Sequence, residues 1–383
     1  MGAERAIALV AGEASGDLLG AALITALRER DPGLRFFGAC GPRMRAAGCE
    51  PLADSEELAV MGLTEVLSHL PRLLKLRRRL RESILARRPA VFIGIDAPEF
   101  NLGLAGWLKA RGIPTVQYVS PQVWAWRQGR VRHIGQSVDR VLCLLPFEVG
   151  FYAQHAVQAR FVGHPLADQI PLEVDRAAAR AALGLPAAAK VVALLPGSRL
   201  AEVERLGLDF ARTAALLAAS RSPPPRFVAP MANSRVRDVF ERQLADAGVS
   251  VQLVDGRSQQ VLAAADVVLV ASGTATLETL LTQRPMVVAY RLGAVTAFLL
   301  RTLGLVKVRH FAQPNLLAGE GVVPEFFQEQ VTPRNLADAV ARWLDDPAAV
   351  DPLSARFAAI HRELRQDGAR GAADAILDLV GSR

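Results

Sequence analysis

The sequence predicts an α/β protein built from two doubly wound parallel-sheet domains in tandem, followed by a helical tail. Three observations carry this. Short apolar runs alternate with helical stretches along the chain. The runs fall into two sets, with a break near Gly163-His164-Pro165, and after Pro333 the pattern is almost wholly helical. At 383 residues the chain also exceeds what one ordinary core fills.

In the first set the strand candidates are Ala6–Ala11, Leu34–Gly38, Val91–Ile95, Thr115–Val119 and Val138–Leu144. In the second they are Val191–Leu195, Arg226–Ala229, Val251–Val254, Val267–Ala271 and Met286–Tyr290. Helical stretches lie between, such as Gly16–Arg30, Leu200–Ala219 and Thr274–Thr282, and the tail reads as Asn335–Leu344, Leu353–Arg365 and Ala372–Val380. Alternation of this kind implies parallel sheets covered by helices on both faces. The expected division is 1–165, 166–345 and a tail of 346–383 that packs on the first domain or on a second subunit. Open parallel sheets bind ligands beyond the carboxyl ends of their strands, so the residues just after each strand are the ones to read. Two such edges facing each other would hold a ligand between the domains.

Composition narrows the class. Apolar residues at 51% and charged residues at 22% exclude a disordered chain. The longest stretch free of charge, Gly112 to Trp126, has 15 residues and two prolines, whereas a spanning helix needs about 20 apolar residues. Glu4, Arg5 and Gly12-Glu13 break up the N-terminal apolar run, which argues against a signal peptide. Cys40, Cys49 and Cys143 form no CxxC and suit a reducing cytosol. Between Arg72 and Arg88 lie eight basic residues and one acid, a surplus equal to the +7 of the whole chain. A single basic patch therefore fits better than a nucleic-acid coat.

The turns after the strands hold the chemistry. Gly12-Glu13-Ala14-Ser15-Gly16-Asp17 has neither dinucleotide nor P-loop spacing. It is either tight strand–helix packing or a cradle for a polar substrate at the helix N-terminus. In Gly94-Ile95-Asp96-Ala97-Pro98-Glu99-Phe100-Asn101, Asp96 is either the cap of the next helix or a general base facing the site. Leu195-Pro196-Gly197-Ser198-Arg199 offers close backbone approach and a guanidinium fork for phosphate. Ala271-Ser272-Gly273-Thr274-Ala275-Thr276-Leu277-Glu278 leaves room for a diphosphate, and Glu278 can accept from ribose hydroxyls. Two phosphate-friendly turns in one domain favour nucleotide binding. The histidines are scattered and no DxD or HxxxH occurs, so no metal site is expected. Trp124 and Trp126 either stack on a sugar or pack, with packing favoured.

In order along the chain, GEASGD (12–17), GIDAPEFN (94–101), SPQVWAW (120–126), GHP (163–165), LPGSR (195–199), ASGTATLE (271–278) and PNLLAG (314–319) resemble the lipid-A-disaccharide synthase family. One departure is Glu99, where that family usually shows Asp. The resemblance implies the GT-B architecture, two Rossmann-like domains facing a cleft. It implies a metal-independent, cofactor-free inverting glycosyltransferase acting on UDP-2,3-diacylglucosamine and 2,3-diacylglucosamine 1-phosphate. On the matching motif positions Asp96 is the expected base. Gly197, Ser198, Arg199, Ser272, Gly273, Thr274, Ala275, Thr276, Glu278 and Asn315 are the expected UDP-donor contacts, and Glu13, Ser15 and Asp17 lie on the acceptor side. A UDP-sugar 2-epimerase, which shares UDP recognition, is the competing reading.

Acylated substrates reside in membranes, so such an enzyme is expected to dock peripherally on the anionic inner face of the inner membrane, from the cytoplasm, without nucleic acid as a partner. The expected docking residues are Val66, Leu67, Leu70, Arg72, Leu74, Lys75, Arg77 and Arg78, with Leu73, Leu76, Leu80 and Ile84 facing the core. A homodimer through the C-terminal region is the further partner expectation.

Overall fold

A computed structural model describes residues 5–58, 63–126, 128–293 and 310–381; for 63–70, 125, 126 and 128 it describes the backbone alone. The chain divides into two compact units, one of residues 1–168 with 364–383 and one of residues 169–363.

The first unit carries seven strands: β1 (Ala6–Ala11), β2 (Arg35–Cys40), β3 (Cys49–Asp54), β4 (Val91–Ile95), β5 (Thr115–Tyr118), β6 (Arg140–Cys143) and β7 (Ala159–Phe161). They pair in the order β3-β2-β1-β4-β5-β6-β7, all in parallel. The second unit carries β8 (Val191–Leu195), β9 (Arg226–Met231), β10 (Gln252–Asp255), β11 (Val267–Ala271), β12 (Met286–Tyr290) and β13 (Glu325–Phe327), ordered β10-β9-β8-β11-β12-β13. These too are parallel throughout. In each sheet the order reverses at the first strand of the set, which is where a doubly wound fold opens its crevice.

Central strands read as unbroken apolar runs because both faces are covered. Along β1, Ile7, Leu9 and Ala11 join a core with the Ala14–Arg30 helix, while Ala8 and Val10 join the opposite core with the Leu63–Arg87 and Pro98–Lys109 helices. The sequence reading found all nine interior strands and the edge strand β10, and missed β3, β7 and β13. All three are sheet edges, where half-exposed pairing tolerates polar residues and short length. Pro51 in β3 is of this kind, since an edge strand need not donate at every position.

The Gly368–Gly381 helix closes the first unit. Ala372, Ala373, Ala375, Ile376 and Leu379 are buried in the same core as Leu23, Ile24 and Leu27. Polar ties surround that seam: Arg30 to Asp374, Arg160 to Asp378 at 2.8 Å and Arg370 to Glu29 at 3.3 Å.

Candidate active site

In the first unit, β1 and β4 are neighbours, and the turns that follow them touch. A Cβ placed on Gly12 would stand 2.4 Å from the Ala97 Cβ, so glycine at 12 is what lets the two turns meet. Glu13 and Ser15 are exposed at the start of the Ala14–Arg30 helix, beside that contact. Asp96 does not cap the helix that follows. Ala97 occupies that position and Pro98 opens the first turn. Asp96 and Ala97 both have left-handed backbone, with φ of 53° and 40°. The Asp96 carboxylate, half-buried, makes no hydrogen bond or ion pair among the described residues. The cap reading is thereby set aside, and the side chain is left for other chemistry.

Three neighbours of these motifs have internal roles. Asp17, expected on the acceptor side, is 2% exposed. Its carboxylate accepts from the backbone N–H of Gly41 and Arg43 at 2.9 Å and of Met44 at 3.0 Å. It thus satisfies the N-terminus of the Pro42–Ala46 helix. Glu99 forks onto Arg130, with the longer of the two bonds at 2.8 Å, tying the helix after Asp96 to the turn after SPQVWAW. Trp124 packs edge-on to Phe147, centroids 5.0 Å apart, and its Nε1–H donates to Glu148 at 3.2 Å. The side chain of Trp126 lies outside the described residues.

Sequence reasoning passed over Glu148. It is 3% exposed, and burial pushes its carboxyl up to about 7 against the opposing effect of hydrogen bonds from Ser120, Trp124 and backbone N–H groups. His164, in the GHP motif, moves the other way. Its Nδ1 accepts from the Leu166 N–H at 3.2 Å, and burial pushes the imidazole down to about 4.

In the second unit, the turns after β8 and β11 line one cavity of about 420 Å³. Gly197, Ser198, Arg199, Ser272, Gly273, Thr274, Ala275 and Glu278 all border it, so the two phosphate-friendly turns do converge. Gly197 and Gly273 have φ of 140° and 156°, backbone that admits close approach. The Glu202 carboxylate accepts from the N–H groups of Ser198 at 3.0 Å and Arg199 at 3.2 Å, showing that this turn presents donors to an anion. The Arg199 side chain is 75% exposed, with Nη1 at 3.5 Å from the Glu202 carboxylate. Glu278 accepts from the Ser258 hydroxyl at 3.1 Å, and burial raises its carboxyl pKa. Pro230, Met231, Gly256, Arg257 and Ser258 complete the wall. Pro230 and Met231 end β9 and the other three follow β10, and the strand order brings them here.

Two expected donor contacts lie inside the unit instead. Thr276 is buried, its hydroxyl donating to the Gly273 carbonyl at 2.8 Å, so it shapes the turn from behind. Asn315 is 1% exposed with its amide fully used: Nδ2 donates to the Val323 carbonyl and Glu325, and Oδ1 accepts from the Val322 and Val323 N–H groups, all at 2.8 to 2.9 Å. It braces the loop before β13.

On the basic helix, Leu76, Leu80 and Ile84 are buried and Leu73 packs partly against the same core, as their spacing requires. Arg77 does not present a free cation. It lies over the Phe100 ring at 5.0 Å, donates to the Glu99 carbonyl, and has its pKa lowered by burial. Arg72, Leu74, Lys75 and Arg78 are exposed, Leu74 at 50%. Arg78 pairs with Glu82 at 3.0 Å. The side chains of Val66, Leu67 and Leu70 lie outside the described residues. Among the described residues no helix is long and apolar enough to cross a membrane.

Comparison with known proteins bears directly on this arrangement. Residues 7–369 match the family model described as lipid-A-disaccharide synthetase. The lipid-A-disaccharide synthase of Alkalilimnicola ehrlichii is 55% identical over 379 residues, covering 98% of both chains. That of Xanthomonas campestris pv. campestris is 52% identical over 380 residues, 98% of this chain and 86% of the relative. Among solved structures, the glycotransferase of kitacinnamycin superposes with a TM-score of 0.65 at 21% identity, covering 98% of each chain, a likeness of fold with the GT-B class.

Proposed function

The chain belongs to the lipid-A-disaccharide synthetase family and is a glycosyltransferase, and from that premise we propose how its residues divide the reaction. The donor is UDP-2,3-diacylglucosamine and the acceptor is 2,3-diacylglucosamine 1-phosphate. The acceptor 6-hydroxyl attacks the anomeric carbon on the face opposite UDP. The new C–O bond forms as the bond to the β-phosphate breaks, giving the β(1→6) disaccharide 1-phosphate with inversion.

Asp96 takes the hydroxyl proton. The observation that carries this is a half-buried carboxylate, uncommitted among the described residues, on a turn in contact with the Gly12–Ser15 turn. Sugar transfer passes through an oxocarbenium-like state while negative charge grows on the departing diphosphate. Arg199 and the backbone N–H groups of Gly273, Thr274 and Ala275 meet that charge, the latter being preorganised donors at a helix N-terminus. Glu278 accepts from the ribose hydroxyls, and the apolar wall at Pro230 and Met231 suits a flat base. Glu13 and Ser15 contact the acceptor.

Both sugars carry acyl chains, so docking on an anionic membrane surface completes the reading. Exposed Leu74 beside Arg72, Lys75 and Arg78 supports it, combining apolar contact with positive charge. The decisive experiment is Asp96→Asn. Turnover should fall by about 10²- to 10⁴-fold, the usual span for a lost general base. UDP affinity measured by calorimetry should stay within about twofold of wild type. Turnover like that of the wild type would remove Asp96 from the chemistry.

A further inference from the structure

The carboxylate of Asp96 can act as a base only if it is aimed, and its turn has no regular structure to aim it. Both peptide planes flanking the Asp96 Cα are nevertheless pinned. On one side its N–H donates to the Tyr118 carbonyl at 2.9 Å. On the other its carbonyl accepts from two side-chain amides, Asn101 Nδ2 at 2.8 Å and Gln117 Nε2 at 3.1 Å. With both planes fixed, the direction of the Cα–Cβ bond is fixed too.

These amides are costly components. Asn101 and Gln117 are each 0% exposed. Asn101 Oδ1 and Gln117 Oε1 are buried with no partner among the described residues. A buried amide that leaves its oxygen unpaired lowers stability, and the bonds its nitrogen donates are what offset that cost. Gln117 Nε2 also donates to the carbonyls of Tyr118 and Val119, both at 3.3 Å. Val119 has a φ of 75°, a conformation a β-branched residue adopts only when its surroundings dictate it. Gly94 makes room for the second amide, since a Cβ there would stand 2.7 Å from the Asn101 Cβ.

We propose that Gln117, working with Asn101, is a positioning residue that holds the left-handed Asp96–Ala97 turn and thereby aims the Asp96 carboxylate at the acceptor hydroxyl. The proposal rests on Asp96 as the base. Misplacing a catalytic group by about an ångström costs on the order of 10²-fold in rate without touching binding elsewhere.

Gln117→Met keeps the volume and removes the donor. Its kcat should fall about 10- to 100-fold, with KM for both acylated sugars and the calorimetric Kd for UDP within about twofold of wild type. In an Asp96→Asn background, followed by single turnover, the same substitution should bring no further loss, because two residues acting through one group are not additive. Wild-type kcat in Gln117→Met, or losses that multiply in the double variant, would overturn the proposal. Should Gln117→Met fail to fold, Gln117→Glu carries the test. A neutral carboxylic acid still donates one hydrogen bond to the Asp96 carbonyl and an ionised one cannot, so its kcat relative to wild type should fall as pH rises. A flat ratio would sink the idea. An active Asp96→Asn would instead reject the base assignment, a different outcome from an active Gln117→Met beside an inactive Asp96→Asn.

Discussion

Gly12 and Ala97, 85 residues apart in the chain, stand so close that a methyl group on the first would meet the methyl of the second at 2.4 Å. No left-handed backbone is demanded of Gly12, so the constraint there is space alone. Gly12→Ala should therefore act by pushing the two turns apart. We expect a loss of stability of about 1–3 kcal/mol, typical of overpacking, with a fall in kcat larger than any change in UDP affinity. Chemical denaturation and calorimetry with UDP would check both; unaltered kcat would mean the two turns work independently.

Removing the guanidinium at 199 should weaken the donor site in ground and transition states together. Arg199→Ala is expected to raise the donor KM and lower kcat, each by about 10-fold or more, as when one preorganised donor to a developing anion is deleted. Steady-state kinetics with varied UDP-sugar would show it. Wild-type constants would take Arg199 out of the phosphate contact.

Glu148 and His164 should leave opposed marks on the pH dependence of stability. The Glu148 carboxyl ionises near 4.5 when unfolded and near 7 when folded, so its effect is to lower stability as pH rises across that span. The His164 imidazole, near 6.5 unfolded and about 4 folded, lowers stability as pH falls across its own span. Each amounts to about 3 kcal/mol in full, and between about pH 4.5 and 6.5 the two slopes offset each other. Relative to wild type, Glu148→Gln should gain stability as pH rises from 4.5 to 7, and His164→Gln should gain it as pH falls from 6.5 to 4. Urea midpoints measured across that range would reveal the two trends; parallel curves for all three proteins would refute them.

The membrane reading now centres on Leu74 and its exposed cations rather than on Arg77, whose charge faces Phe100 and the Glu99 carbonyl. Leu74→Ser combined with Lys75→Glu should reduce sedimentation with anionic vesicles severalfold, and more at low salt, since each basic residue near such a surface contributes about 1 kcal/mol. Arg77→Glu should instead lower stability. Undiminished vesicle binding by the Leu74/Lys75 variant would place the anchor elsewhere.

Much of this was legible in the sequence, for identifiable reasons. Interior strands such as Val191–Leu195 and Val267–Ala271 are buried along their whole length and so read as apolar runs. The edge strands β3, β7 and β13 lack that signature because one side of each has no partner strand. Local motifs located the turns at 12–17, 94–101, 195–199 and 271–278, yet could not say which of their polar members face inward. Asp17 finds its partners 24 to 27 residues away, at Gly41, Arg43 and Met44. Asn315 is consumed by the loop that follows it. Gln117 left one trace, a lone amide in the run Thr115–Val119, readable only as a buried donor in need of an acceptor.

The placement of the Gly368–Gly381 helix bears on how the protein is made. A ribosome delivers the chain from its N-terminus, and domains generally close as they emerge. Here the first unit lacks part of its core until residue 379 has been synthesised, whereas the second is complete at residue 363. The second unit is thus the earlier to have all its parts, and the Ala14–Arg30 helix waits, with the core of Leu23, Ile24 and Leu27 incomplete, until Ala372–Leu379 have been made. Truncation before Ala372 would therefore damage the first-made unit and not the second.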